Sequence, residues 1–215
     1  MNIRIAGIAL ALASLTGTAY AQKPTEKTPA VLNDPAKLKE KSPKTFKAQF
    51  VTSQGTFIID VTREQSPNGA DRFYTLVKNG FFNNIKFFRV VKGFVVQFGI
   101  HGDPKISKKW LDSSIQDDSV VASNKKGTLT FAKSGAPNSR STQLFINLAD
   151  NERLDSMGFS AFGKVTKGMD VVEKLNGEYG ETITALQGEI ASGGNAYLEK
   201  NFPKLDYIKT ATILK

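Results

Sequence analysis

FFNNIKFFRVVKGFVVQFGIHGDP, residues 81–104, holds two strand-like runs around one turn. Lys86–Val91 and Phe94–Phe98 within it are dense in β-branched and aromatic side chains, which suits strands, and Lys92-Gly93 between them supplies a turn. Working back toward the N-terminus, Ser66-Pro67 offers an N-cap and a first-turn proline. Ala70, Phe73, Tyr74 and Val77 then recur at helical spacing until Asn79-Gly80 stops the run. Earlier still, Phe46–Thr52 and Thr56–Val61 alternate around Ser53-Gln54-Gly55 and predict a β-hairpin that opens the folded domain. Toward the C-terminus, strand-like runs fall at Thr128–Ala132 and Gln143–Asn147. A short helix fits Met169–Leu175 before Asn176-Gly177. Tyr197, Leu198 and Phe202 suit another short helix broken at Pro203, and Asp206–Leu214 reads as a last strand. No internal repeat of fixed period is present. Many strands with two helices besides that short C-terminal segment predict a mainly β fold, a closed antiparallel barrel capped by the two helices, because closure removes exposed strand edges.

Residues 1–21 carry Arg4, the apolar run IAGIALALASL and then small residues ending Ala19-Tyr20-Ala21, the order of a secretory signal cleaved after Ala21. The apolar run is shorter than the about 20 residues needed to cross a bilayer core, so no integral membrane segment is expected after cleavage. Residues 22–45, QKPTEKTPAVLNDPAKLKEKSPKT, repeat Pro and Lys around only Val31, Leu32 and Leu38, and read as a basic tether. Residues 46–215 are then one domain, since the roughly 190 residues left after cleavage suit a single core.

Composition excludes several chemistries. There is no Cys and one His among 215 residues, which removes disulfides, thiolate nucleophiles and the usual multi-histidine metal centres; no metal or cofactor is expected. The net charge of +9 invites anionic partners. Its lysines are scattered through the tether and loops without interleaved aromatics, and export separates the chain from nucleic acid, so a solvated basic surface is expected instead.

Three segments read together resemble the cyclophilin family: residues 81–104 above, GTLTFAKSGAPNSRSTQLFINL (127–148) and LDSMGFSAFGKVTKGMDVVEKL (154–175). In that family an Arg on a strand precedes a Gly-Phe turn and a Gln on the next strand. A later Gln-Phe-Phe stretch precedes Leu-Asp and a Phe-Gly-Lys-Val strand leading into a helix. The resemblance spans about Phe46 to Leu214. It implies an eight-stranded cyclophilin-like barrel with a short C-terminal helical segment, and a peptidyl-prolyl cis-trans isomerase acting on proline-containing polypeptides. By position it makes Arg89 the catalytic residue, Phe94, Val95, Phe145 and Leu154 the proline pocket, and Gln97 and Gln143 its polar rim. Phe131, Ala132, Lys133 and Ser134 would bind substrate backbone on the far side of the groove, and Phe159 would line the pocket. Several positions depart from the family pattern: Phe88 and Phe159 stand where His is common, and Arg153 where an aromatic is common. No Gly-rich loop of the family's kind is visible between Lys105 and Asp118.

These residue types suit the reaction. Rotation about the prolyl peptide bond is opposed by resonance, with a barrier of about 18–20 kcal/mol, and lowering it needs no nucleophile or metal. It needs a grip on the ring and a donor for the charge that appears as the amide twists. A guanidinium stays charged and points several donors in fixed directions, so Arg89 is the expected electrostatic catalyst. The alternatives are a non-catalytic binding module for proline-containing segments on the same scaffold, or a ligand-holding barrel. Phe57, Ile59, Phe87 and Phe162 read as interior bulk that disfavours the last. His101, in the turn GIHGDP, is expected to be structural or exposed. Asp117 and Asp118 should point to opposite faces of an extended chain, and Asp150, Glu152 and Asp155 match no calcium loop. The product is expected to be a monomer in the periplasm, with full secretion the alternative.

Overall fold

Side-chain alternation in the first hairpin sets the sheet. In β1 (Thr45–Thr52) Phe46, Ala48 and Phe50 are buried, and in β2 (Thr56–Thr62) Phe57, Ile59 and Val61 are. The register pairs Phe50 with Phe57, whose rings stack 5.1 Å apart. The computed structural model describes residues 29–214; the expected export signal and residues 22–28 of the expected tether lie outside the described residues. Six more strands follow: β3 (Arg89–Val91), β4 (Val95–Phe98), β5 (Thr128–Phe131), β6 (Leu144–Asn147), β7 (Ala161–Lys167) and β8 (Ile208–Leu214). They form one antiparallel sheet in the order β3-β4-β6-β5-β7-β2-β1-β8.

The sheet curls into a half-barrel that stays open, which corrects the closed barrel expected from the sequence. Its end strands, β3 and β8, share no ladder. Among the described residues they are linked beside β3 by a bridge between Lys86 and Tyr207, by backbone bonds from Phe87 N–H to Asp206 O (2.9 Å) and Ile208 N–H to Ile85 O (2.8 Å), and by Ala211 N–H donating to Asn83 Oδ1 at 3.1 Å. The physical reason lies in residues 81–84, which turn over, with Asn84 at φ 58°, to bury Phe81 and Phe82, and leave β3 only three residues long. The interior is filled all the same, as the bulk of the inward residues predicted: Phe57, Ile59, Phe87 and Phe162 are fully buried.

Among the described residues four α-helices surround the sheet: α1 (Pro67–Lys78), α2 (Pro104–Leu111), α3 (Met169–Glu173) and α4 (Gln187–Asn201). The sequence reading found α1 and α3 but not α2. That helix is capped by Asp103, whose Oδ1 accepts from Lys105 N–H at 2.9 Å, and it buries Ile106 and Trp110, one turn apart. Helix α4 begins ten residues before the short helix expected around Tyr197. It bends at Gly194, whose φ of 59° lets the chain pass Gly102; a Cβ there would lie 2.2 Å from the Gly102 carbonyl oxygen.

Residues 29–44 also differ from the expected free tether. Leu32 and Leu38 are buried in the main core, and the Leu32 carbonyl accepts from Trp110 Nε1–H at 2.9 Å. Three apolar residues in a Pro- and Lys-rich run are too few to fold by themselves. They are enough to dock once α2 presents a surface, and that surface is invisible from the run's own composition.

Helix α1 has an unforeseen cap. Ser66 makes no side-chain cap bond; its Oγ–H instead donates to Asp118 Oδ2 at 2.6 Å. The Asp118 carboxylate itself accepts from Asn68 N–H (3.2 Å) and Gly69 N–H (3.0 Å), doing the work of an N-cap from fifty residues away. Arg140, almost fully buried, donates from Nη2 to Asp118 at 3.0 Å, while its Nε lies 3.3 Å from Asp117 Oδ1 without hydrogen-bond geometry. The two aspartates thus meet one guanidinium rather than diverging, because the chain there is not a regular strand. Burial by itself pushes the Asp118 carboxyl up, but the bonds from Ser66, Gly69 and Asn68 and the charge of Arg140 outweigh it and hold it below the ordinary 3.8.

Arg140→Leu leaves the Asp118 carboxylate buried without its cation, and the expected cost is about 3–5 kcal/mol in urea unfolding at neutral pH. A pKa depressed in the folded state contributes stability that is complete above 3.8 and is lost as pH falls through the folded value. Asp118→Asn should therefore narrow its stability gap to wild type as the solution is acidified below pH 3.8. A gap that stays constant would show that the carboxylate does not carry the effect.

Candidate active site

Period-two alternation divides β3, β4 and β6 between two faces. Val96, Phe98, Leu144 and Ile146 enter the main core. Val95 and Phe145 point the other way and, with Leu154, form a separate small cluster against which Phe94, Ala132 and Phe159 pack. Arg89 is paired with Gln97, and Gln97 with Phe145, so the three stand in one row across three strands. A Gly ends β4 for a steric reason: a Cβ at Gly99 would sit 2.3 Å from the Thr142 carbonyl oxygen.

The polar rim is a chain of hydrogen bonds. Arg89 Nη1 donates to Gln97 Oε1 at 2.9 Å, and Gln97 Nε2 donates to Gln143 Oε1 at 2.9 Å. The Arg89 guanidinium carbon lies 5.4 Å from the centre of the Phe94 ring, and that of Arg153 lies 5.0 Å from the same ring. Across the groove Lys133 Nζ is 5.5 Å from the Phe159 ring, which meets Phe145 edge-on at 5.7 Å. The structure thus brings together Arg89, Phe94, Val95, Gln97, Ala132, Lys133, Gln143, Phe145, Leu154 and Phe159. The side chain of Phe131 is elsewhere, stacked on Phe162 in the main core at 5.4 Å, so only its backbone borders the groove strand. The Ala132 N–H is already taken by the Gln143 carbonyl at 2.9 Å. A cavity of about 230 Å³ adjoins this rim, sharing Gln143 and lined further by Ile100, Leu111, Thr142 and Ala191.

One residue of the site escaped the sequence reading. Glu181 takes Arg89 in a two-point grip: Nε–H donates to Oε2 at 3.1 Å and Nη2 to Oε1 at 2.6 Å. The bonds from Arg89 pull the Glu181 carboxyl below its ordinary 4.5 against the opposing effect of partial burial. Nothing in local sequence pattern marks a Glu ninety-two positions away as a partner of Arg89.

Of the residues set aside, His101 is buried beside Phe81, and its Nδ1 accepts from Asp103 N–H at 2.9 Å. Burial lowers its pKa below 6.5, so it stays neutral and structural. Asp155 accepts from Ser123 Oγ–H at 2.5 Å and from Asn124 N–H at 2.9 Å.

Residues 47–191 match the family described as cyclophilin type peptidyl-prolyl cis-trans isomerase/CLD. A peptidyl-prolyl cis-trans isomerase of Acinetobacter baylyi is 36% identical over 132 residues, covering 59% of this chain and 70% of its own length. Peptidyl-prolyl cis-trans isomerase B of Escherichia coli is 34% identical over 136 residues, covering 60% of this chain and 82% of its own length. Among solved structures, a Cryptosporidium parvum cyclophilin type isomerase superposes with a TM-score of 0.58 at 20% identity, covering 80% of this chain and 98% of its own. The cyclophilin AquaCyp293 of Hirschia baltica gives 0.58 at 16% identity, covering 80% and 75%; at these identities the two structures speak for the fold alone. The chain belongs to the cyclophilin-type peptidyl-prolyl cis-trans isomerase family.

Because Phe145 sits in the small outer cluster and not in the main core, Phe145→Ala is expected to leave a folded protein that binds a short proline peptide at least about tenfold more weakly, a loss of some 1.4 kcal/mol of apolar contact. NMR titration against wild type checks this. Unchanged affinity would remove Phe145 from the binding surface.

Proposed function

We propose that this protein accelerates cis–trans exchange of X–Pro bonds in exported proteins and so assists their folding, with Arg89 stabilising the twisted prolyl amide. The observation that carries the reading is the placement of one largely buried guanidinium at the mouth of a discrete apolar cluster. Arg89 is 14% exposed at its side chain, and it stands over Phe94 beside Val95, Phe145 and Leu154. The cluster suits a proline ring. The guanidinium suits the charge that develops as resonance is lost, in a groove dry enough to strengthen the contact. The reaction asks for no cofactor, and proline isomerisation without help takes tens to hundreds of seconds, long enough to limit folding.

A second reading is a holder of proline-containing segments that does not turn over. One observation favours it: Glu181 already neutralises Arg89, which weakens a purely electrostatic catalyst. The two readings part in a single assay, NMR exchange of a short proline peptide with wild type and Arg89→Ala. Wild type is expected to accelerate exchange and the variant to lose about a hundredfold while remaining folded. No acceleration by wild type on several peptides would leave the holder reading standing.

For location, the order of charged, apolar and small residues in 1–21 supports a cleaved export signal and a periplasmic destination. Protein recovered from the cell envelope should begin at Gln22. An N-terminus that still carries the apolar run after expression would overturn that proposal.

A further inference from the structure

Arg89 and its neighbour Phe88 are held by the same distant stretch of chain, residues 179–205. Phe88 lies just before β3 and outside its alternation, so both it and Arg89 leave the main core to Phe87 and Val90. Phe88 faces outward from the sheet core into a second apolar cluster with Ile100, Ile183, Ile190, Leu198 and Leu205, all buried. Arg89 faces the groove and meets Glu181, two residues before the fully buried Ile183. The backbone around Glu181 is tied down as well: Thr184 N–H donates to the Glu181 carbonyl at 2.9 Å, and Thr184 Oγ1–H to Glu181 Oε2 at 2.9 Å. The carboxylate is thus delivered to Arg89 by an anchored segment, although its side chain is 55% exposed.

A guanidinium has five N–H bonds. Two, on Nε and Nη2, go to Glu181, and one on Nη1 goes to Gln97. One N–H therefore remains on each terminal nitrogen among the described residues. In a planar group the remaining Nη2–H points away from the edge that Glu181 grips. The carboxylate fixes the plane and rotation of the fork without using all of its donors, and a two-point carboxylate grip is the geometry that a guanidinium accepts best.

We propose that Glu181 is a positioning residue for Arg89: it clamps the Nε/Nη2 edge so that the two free N–H bonds stay aimed into the proline groove. The inference rests on the isomerase reading above. A half-exposed ion pair adds little to global stability, so the effect belongs in the rate of catalysed exchange rather than in the melting temperature. It also belongs to Arg89 alone, which makes it separable from a general structural role.

The experiment compares catalysed exchange and peptide affinity, both by NMR on one proline peptide, for wild type, Glu181→Ala, Glu181→Gln, Arg89→Ala and the double variant Glu181→Ala/Arg89→Ala. Glu181→Ala is expected to slow on-enzyme exchange about tenfold, the rate equivalent of 1.36 kcal/mol, with peptide affinity and melting temperature nearly unchanged. Glu181→Gln, which keeps length and one acceptor oxygen, should recover part of the loss. In the Arg89→Ala background the Glu181 substitution should do nothing, because a residue that acts through Arg89 has nothing left to act on. Slowed solvent exchange of the Arg89 Nε–H in wild type, absent in Glu181→Ala, is the direct spectroscopic sign of the clamp. Exchange that is unchanged or faster in Glu181→Ala, or a loss of equal size with and without Arg89, overturns the inference while leaving an active wild type as an isomerase. A wild type that accelerates nothing removes the isomerase reading and this inference with it.

Discussion

Side-chain alternation along β3, β4 and β6 is the constraint on which the rest of the molecule depends. Phe98 is wedged among Phe50, Phe82 and Phe87 at ring separations of 6.0, 5.7 and 5.4 Å, and this pins the register of β4. With Phe98 inward, Gln97 and Val95 must face outward; with Leu144 and Ile146 inward, Phe145 must too. A slip of one residue would exchange the two sets and erase core and groove together. The groove is therefore specified by the core packing, and its chemistry needs no fold of its own.

Buried polar networks carry the irregular segments that the sheet does not. Asn124 receives Thr130 Oγ1–H at 2.8 Å and donates to Asp155 Oδ1 at 2.7 Å; Asn151 donates to Asn147 Oδ1 at 2.8 Å. This network fixes the turn 152–154, and so sets Leu154 against Val95 and Phe145. The Asp118–Arg140–Ser66 group does the same for the loop after α2, tying it to the N-terminus of α1. Each network costs desolvation that only its own completeness offsets.

The segment from residue 176 to 207 adds a second layer outside the sheet. Its apolar side chains need a partner, and Phe88, one of the departures from the family pattern visible in the sequence, is that partner. The same docking sets Glu181 on Arg89. The chain has thus coupled its candidate catalytic arginine to an element that the short strands of the barrel do not include.

By itself the sequence determined what depends on neighbours close along the chain. The alternation of the first hairpin, the period and proline start of α1, the strands around Arg89 and Gln97, and the order of the motifs that mark the family were all legible, because period and turn chemistry are local. The residues now seen around the apolar cluster beside Arg89 could be named in advance because their motifs stand in the same order as in the family they resemble. Pairings between residues far apart in sequence were not legible there. These are the open β3–β8 edge left by the turn at 81–84, Leu32 docked under Trp110, Asp118 capping α1 in place of Ser66, and Glu181 clamping Arg89. Each joins groups whose attraction exists only after the core has brought them within a few ångströms, and no pattern in a linear chain records a distance that folding creates.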